Sequence, residues 1–147
     1  MSKTKCLIHI VFATKRREMA IPEATKRDLY HYILGITRNK QCYLHRLGGI
    51  GNHIHMLIDL NPTVALADFV KTVKRQSSIW MKGDERFPGF DSWGEGYYAV
   101  SVGVEGLEAC KRYIANQEVH HGVVEFMNEM EDMATQNGLR WYGDDWK

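Results

Sequence analysis

The chemistry legible in this chain lies in two imidazoles and a tyrosine–glutamine pair. His53 and His55 sit in the run Gly51-Asn52-His53-Ile54-His55-Met56-Leu57-Ile58-Asp59-Leu60. In an extended strand alternate side chains share a face, so His53, His55, Leu57 and Asp59 line one side and Ile54, Met56, Ile58 and Leu60 the other. Two imidazoles so placed can converge on a single divalent metal, although the same pattern also describes two histidines on a solvated sheet face. The motif gains weight from Tyr113 and Gln117, which lie four residues apart and are therefore neighbours on one face of a helix. They flank an apolar stripe of Leu107, Cys110 and Ile114, with His120 one turn further on. A core tyrosine with a capped hydroxyl and a surface amide are the plainer readings of this pair.

The elements that must position these residues follow from periodicity and punctuation. Residues 6–14, rich in Ile, Val and Phe, read as a buried strand, and Lys15-Arg16-Arg17 as a basic loop. Pro22 suits the first position of a helix to about Asn39, with Leu29, Ile33 and Ile36 as its stripe. A second strand, 42–47, turns through Gly48-Gly49-Ile50-Gly51 into the histidine strand, 53–60. Asn61-Pro62-Thr63 caps a second helix to about Met81, with a stripe of Leu66, Phe69, Val70, Val73, Ser77 and Trp80. A loop over 82–95, carrying Pro88 and three glycines, leads to a fourth strand, 97–102. Helices follow over 105–121 and 123–137, the latter closed by Gly138, and the tail from Trp141 to Trp146 is aromatic and acidic.

This order predicts an α+β, ferredoxin-like βαββαβ domain with an antiparallel sheet and extra C-terminal helices. Its helices should cover the Ile54, Met56 and Ile58 face. The histidines then fall on the open face, where a site needs a cover from the C-terminal helix or from a second subunit.

Length and composition narrow the class. A chain of 147 residues suits a single domain spanning 1–147, and 44% hydrophobic with 25% charged residues excludes disordered and fibrous classes. No apolar run approaches a membrane span, and the start reads as a strand rather than a signal peptide. Cys6, Cys42 and Cys110 form no C-x-x-C pair, which points to reduced thiols and a cytoplasmic location. A formal charge of +1 means that any nucleic-acid contact must come from local patches. One such patch is the arc Lys71, Lys74, Arg75, Ser78 and Lys82 on the second helix, opposite Leu66, Val70 and Val73. It reads either as a solvated face or, with Lys15, Arg16 and Arg17, as a track for a DNA backbone.

Taken in order, these segments resemble the single-tyrosine HUH transposases of bacterial insertion sequences, of the IS200-like type. The resemblance runs through His9-Ile10-Val11-Phe12-Ala13-Thr14-Lys15 with Arg16-Arg17, Gly48-Gly49 into His53-Ile54-His55-Met56-Leu57-Ile58, and Lys74 with Ser77-Ser78 and Trp80. It continues through Trp93, Gly96-Tyr97 and Ser101-Val102 to Tyr113-Ile114, Asn116-Gln117 and His120-His121. Relaxases place their tyrosine before the histidine motif, and HUH replication initiators pair theirs with a lysine where this chain has Asn116.

The resemblance implies His53 and His55 as metal ligands, Gln117 as a third ligand through its amide oxygen, and Tyr113 as the nucleophile. It further implies Mg²⁺ or Mn²⁺, a single-stranded DNA substrate folded into hairpins at element ends, and a 5′-phosphotyrosine intermediate. A homodimer whose subunits share their active sites is also implied. One departure is Gly51-Asn52, where many members have Pro-Asp, so a carboxylate that could orient the site is absent. The competing readings are a non-catalytic or domesticated hairpin-binding protein of the same fold, and an unrelated two-histidine phosphoesterase. The latter needs two His-x-Ser/Thr motifs, whereas the chain has a single H-x-H.

Overall fold

The computed structural model describes residues 1–117 and 126–140. Strand β1 (Leu7–Ala13) leads through a 3₁₀ turn, Lys15–Arg17, to helix α1 (Lys26–Asn39). Strands β2 (Tyr43–Ile50) and β3 (His53–Asp59) form a hairpin, followed by α2 (Leu66–Met81) and β4 (Tyr98–Ser101). A second 3₁₀ turn, Val104–Gly106, opens into α3 (Leu107–Ala115), and α4 (Phe126–Gln136) follows. The sheet is antiparallel throughout, in the order β2-β3-β1-β4, which is the ferredoxin-like arrangement expected. No described helix is long and apolar enough to cross a membrane.

Register decides what each face holds. Ile10 pairs with Met56, and Phe12 with Ile54. These residues pack against Leu29 and Ile33 of α1 and Phe69 and Val73 of α2. Each fully buried side chain of this kind contributes roughly 1.5–3 kcal/mol relative to exposure. The other face carries His9, Val11, Ala13, His53, His55 and Leu57, and it is not open. Val11, Ala13 and Tyr98 are covered by Phe126, Met130 and Ala134 of α4. β1 is apolar along nearly its whole length, as a strand buried on both faces must be. The cover over the histidines therefore comes from the same chain.

Several boundaries shift for local reasons. α1 begins at Lys26, because Pro22 accepts hydrogen bonds from the Thr25 and Lys26 amides in a preceding turn. α2 begins at Leu66, because the Asn61 side chain accepts from the Thr63 amide and hydroxyl and so closes a turn before the helix. β2 runs on through Gly48 and Gly49, leaving Gly51-Asn52 as a two-residue hairpin turn. The third helix ends at Ala115, with Asn116 as its C-cap. Gly138, at φ 73°, closes α4 as expected. The expectations for His120 and His121, for the helix start at 123 and for the aromatic tail lie outside the described residues.

Candidate active site

His53 and His55 are fully buried on the α3/α4 side of the sheet. The His53 Nδ1 atom lies 2.7 Å from the Asn52 side-chain oxygen, and its Nε2 lies 3.1 Å from the Gln117 Oε1. The Gln117 amide is oriented by its nitrogen, which donates to the Tyr113 carbonyl at 3.3 Å and to Glu129 Oε1 at 3.4 Å. A neutral imidazole has one N–H, yet both ring nitrogens of His53 face an oxygen. With the proton on Nδ1, the Nε2 lone pair and the Gln117 oxygen point into the same space. A cation satisfies two such acceptors.

His55 is held in a similar way. Its Nδ1 is 2.9 Å from Nε2 of His9, and its Nε2 is 3.4 Å from Glu129 Oε1. His9 pairs with Leu57 in the register, one step diagonally from His55, and the two rings stack with centroids 5.1 Å apart. Burial pushes the His9 imidazole down to about 4, so it is neutral at physiological pH. Burial pushes the Glu129 carboxyl the other way, up to about 8. The Tyr113 hydroxyl donates to Glu129 Oε1 and lies 3.3 Å from the Met133 sulfur. Donor atoms of His53, His55 and Glu129 fall within 4.8 Å of one another. Two imidazoles, a carboxylate and an amide oxygen suit a divalent cation of the Mg²⁺ or Mn²⁺ type.

The position of α3 depends on Gly48. A Cβ there would sit 2.7 Å from the Ile114 carbonyl oxygen and 2.9 Å from its Cγ2. The bare strand lets α3, which carries Tyr113 and leads into Gln117, lie directly against β2. Both residues thus lie against the histidines of their own chain.

The residues expected to meet DNA lie elsewhere. α2 packs on the opposite sheet face, so Lys71, Lys74, Arg75 and Ser78 do not enter the metal-donor cluster. They line a groove of about 480 Å³ with Trp93 and Tyr97. Lys74 is committed structurally: its ammonium donates to the carbonyls of Gly94 at 2.6 Å and Gly96 at 3.0 Å, and burial lowers its pKa. Lys15, Arg16 and Arg17 follow Ala13, the residue paired with His53, and so stand at the sheet end that holds the site. The Lys15 amide donates to the Ser92 carbonyl, and its side chain pairs with Asp91 at 3.7 Å. That joins the basic turn to the groove segment.

Three contributors escape a reading of the sequence. Glu129 stands on α4 between Phe126, Met130 and Ala134, and an acidic residue on an apolar stripe is the signal that marks it. His9 shares the alternation of His55 but lies 46 residues away. Asn52, which stands where a carboxylate was expected, supplies the oxygen that orients His53.

A ferredoxin-like sheet seating two histidines against a tyrosine on the following helix, and a glutamine just beyond that helix, is the arrangement of the single-tyrosine HUH transposase class. The family model described as "Transposase IS200 like" matches residues 2–117. The chain belongs to the IS200-like transposase family. The transposases of insertion sequence element IS200 from Salmonella typhimurium and Salmonella typhi are each 28% identical over 121 residues, covering 79% of this chain and 79% of theirs. A candidate transposase from Deinococcus radiodurans R1 has a similar fold, with TM-score 0.59 and 23% identity over 79% of this chain and 93% of that one. So does a REP-associated tyrosine transposase solved bound to a REP hairpin, at TM-score 0.61 and 17% identity over 98% of this chain and 93% of that one.

Proposed function

We propose that the protein cleaves and rejoins single-stranded DNA at hairpin-bearing element ends. Tyr113 is the nucleophile, and His53, His55, Gln117 and Glu129 hold a divalent metal, Mg²⁺ or Mn²⁺. The observation that carries this reading is the Tyr113 hydroxyl seated on Glu129, beside the buried donors His53 and His55 of β3. A protein that only binds hairpins has no need of this buried set.

A phenol with a reference pKa near ~10 must lose its proton to attack phosphorus. With a cation in the site Glu129 would be held ionised and could accept that proton, positioned general-base help of the kind worth ~10²–10⁴-fold. The phenolic oxygen then bonds to phosphorus as the bond to the 3′-oxygen breaks, and that oxygen takes up a proton to become a free hydroxyl. One phosphodiester replaces another, so the reverse step rejoins strands without ATP. Asn52 and His9 hold the imidazoles with their Nε2 atoms turned inward. A bound cation would offset charge developing on the scissile phosphate.

The hairpin is assigned to the groove beside α2, with Lys71, Arg75 and Ser78 on its wall and Lys15, Arg16 and Arg17 leading round to the site. The REP hairpin held by the structural neighbour supports a folded DNA partner. Each site is completed within one chain. The test is a titration of Mn²⁺ into the protein and into a His53→Ala, His55→Ala double variant, with cleavage of hairpin DNA measured in parallel. The wild type should bind metal and cleave, and EDTA should stop cleavage. The double variant should do neither. Unchanged Mn²⁺ affinity in the double variant would overturn the metal assignment.

A further inference from the structure

Helix α2 stands as a ridge between two grooves. On one side lies the groove of about 480 Å³ shared with Trp93 and Tyr97, and on the other a groove of about 530 Å³ lined by Lys40, Thr72, Gln76 and Ile79. Lys71 and Arg75 line both grooves, so they form the crest. Phe69, Val70, Val73 and Ser77 are buried on the opposite side of the helix, which turns Lys71, Arg75 and Ile79 to solvent. The nearby cations Lys74 and Arg86 are spent within the fold, on the Gly94 and Gly96 carbonyls and on Asp28 and Asp84. Lys71, Arg75 and Lys82 make no ion pair with a described carboxylate, and the Gln76 amide makes no hydrogen bond to a described residue. Ile79 is 65% exposed, and among the described residues it is the one large apolar side chain exposed on an α-helix.

We infer that α2 enters the major groove of the hairpin stem and reads its base pairs through Arg75, Gln76 and Ile79. This mode of contact rests on the hairpin reading above and adds the means by which one stem is told from another. The dimensions agree: an α-helix with its side chains is about 10–12 Å across, and the major groove of B-DNA is about 12 Å wide. A helix seated there has a sugar–phosphate backbone on each side, and the ridge has a groove on each side to take them. From Lys71 to Lys82 the crest rises about 16 Å, the length of about five base pairs. The residue types match base edges: an arginine fork meets O6 and N7 of guanine, a glutamine amide meets N6 and N7 of adenine, and an apolar side chain meets the thymine methyl. Arg75 and Gln76 lie four and three residues before Ile79, so the three form one patch. Lys71 and Lys82 towards the ends of the crest, with Lys40 on the wall, are left for phosphates, which fix position without reading sequence. Asp68 lies in the first turn of α2, beyond Lys71, and the charge of Glu95 acts on Lys74, so neither acid interrupts the crest between Lys71 and Lys82.

The test uses the full chain in EDTA, so that binding is read without cleavage, and hairpin oligonucleotides with a randomised block in the stem. Selection by the wild type should yield a preferred stem with guanine, adenine and thymine at neighbouring positions. On that stem, fluorescence anisotropy should show a loss of at least about fivefold in affinity for each of these base pairs replaced. Replacing guanine by 7-deazaguanine, which lacks N7, or thymine by uracil, which lacks the methyl, should also weaken binding, because both changes alter the major groove alone. Arg75→Ala should become indifferent to the guanine changes, Gln76→Ala to replacement of the adenine and Ile79→Ala to uracil, each with the other two preferences intact. All three side chains are exposed, so these variants should keep the wild-type Tm. Lys71→Ala should instead weaken every stem alike and reduce the slope of log K against log salt by about 0.9. A wild type with no stem preference, a preference that survives all three alanine variants, or base analogues without effect would overturn the assignment. Cleavage in Mn²⁺ measures the nuclease reading separately and would stand through any of those results. If the wild type binds no hairpin at all, the hairpin reading itself fails, and the base reading by α2 with it.

Discussion

Glu129 makes the stability of the metal-free protein depend on pH in a sense opposite to that of an ordinary paired carboxylate. Its side chain is 2% exposed, facing His55, Tyr113 and Gln117, and burial raises it to about 8. The unfolded chain has a glutamate near ~4.3. Between these values the folded state keeps a proton that the unfolded state has lost, so stability falls as pH rises. His9 runs the other way: its folded value of about 4 lies below the unfolded ~6.5, so its contribution grows as pH rises to about 6.5. The two oppose each other up to pH ~6.5, and above it Glu129 acts without that offset. At 1.36 kcal/mol per unit, the interval from ~6.5 to ~8 amounts to about 2 kcal/mol, or about 6 °C in Tm for a chain of this size. Thermal unfolding of the EDTA-treated protein and of Glu129→Gln across pH 5–8.5 measures it. The wild-type Tm should drop relative to the variant between pH 6.5 and 8. Added Mn²⁺ should stabilise more as pH rises, because the carboxyl must release its proton to act as a ligand. A wild-type-minus-variant difference that is flat over that interval would refute the reasoning.

Other residues give sharper local tests. Asn52→Ala removes the oxygen on His53 Nδ1 and should weaken Mn²⁺ binding by about 10–100-fold by calorimetry, with Asn52→Asp restoring it. Gly48→Ala drives a methyl into the Ile114 carbonyl and should push α3 off the strand, costing about 1–3 kcal/mol of stability and at least tenfold in cleavage rate beyond what unfolding explains. Mixing a His53→Ala, His55→Ala chain with a Tyr113→Phe chain should regain no cleavage if, as proposed, each site is completed within one chain. Recovery of activity in that mixture, with subunit exchange demonstrated, would restore the shared-site arrangement.

What was legible in the sequence was what short-range periodicity encodes. Alternation along 53–60 separated Ile54, Met56 and Ile58 from the histidines, and the four-residue spacing of Tyr113 and Gln117 made them neighbours, although the helix itself ends at Ala115. The order of elements was enough to predict the sheet. The starts of α1 and α2 were not readable from Pro22 and Pro62, because a proline permits a turn as readily as a first helical position. The histidine face was expected to be open because the fold leaves it so, yet Val11, Ala13 and Leu57 on that face already called for a cover. The closest partners of the site, Glu129 for Tyr113 and His9 for His55, arrive from distant segments, and only register and helix packing bring them in. Asn52 showed the reverse: the departure from the family pattern was visible, and its hydrogen-bonding equivalence to a carboxylate acceptor emerged only with the hairpin turn in place.

The central claim is that the Tyr113 hydroxyl, seated on Glu129, is the attacking atom. Incubation of the protein with 5′- or 3′-labelled hairpin DNA and Mn²⁺, followed by denaturation, proteolysis and mass spectrometry, tests it directly. The account predicts a nucleotide joined through its 5′-phosphate to the peptide containing Tyr113, a free 3′-hydroxyl on the released strand, and no adduct from a folded, DNA-binding Tyr113→Phe variant. An adduct on Tyr97 or Tyr98, or one that persists in Tyr113→Phe, would contradict it.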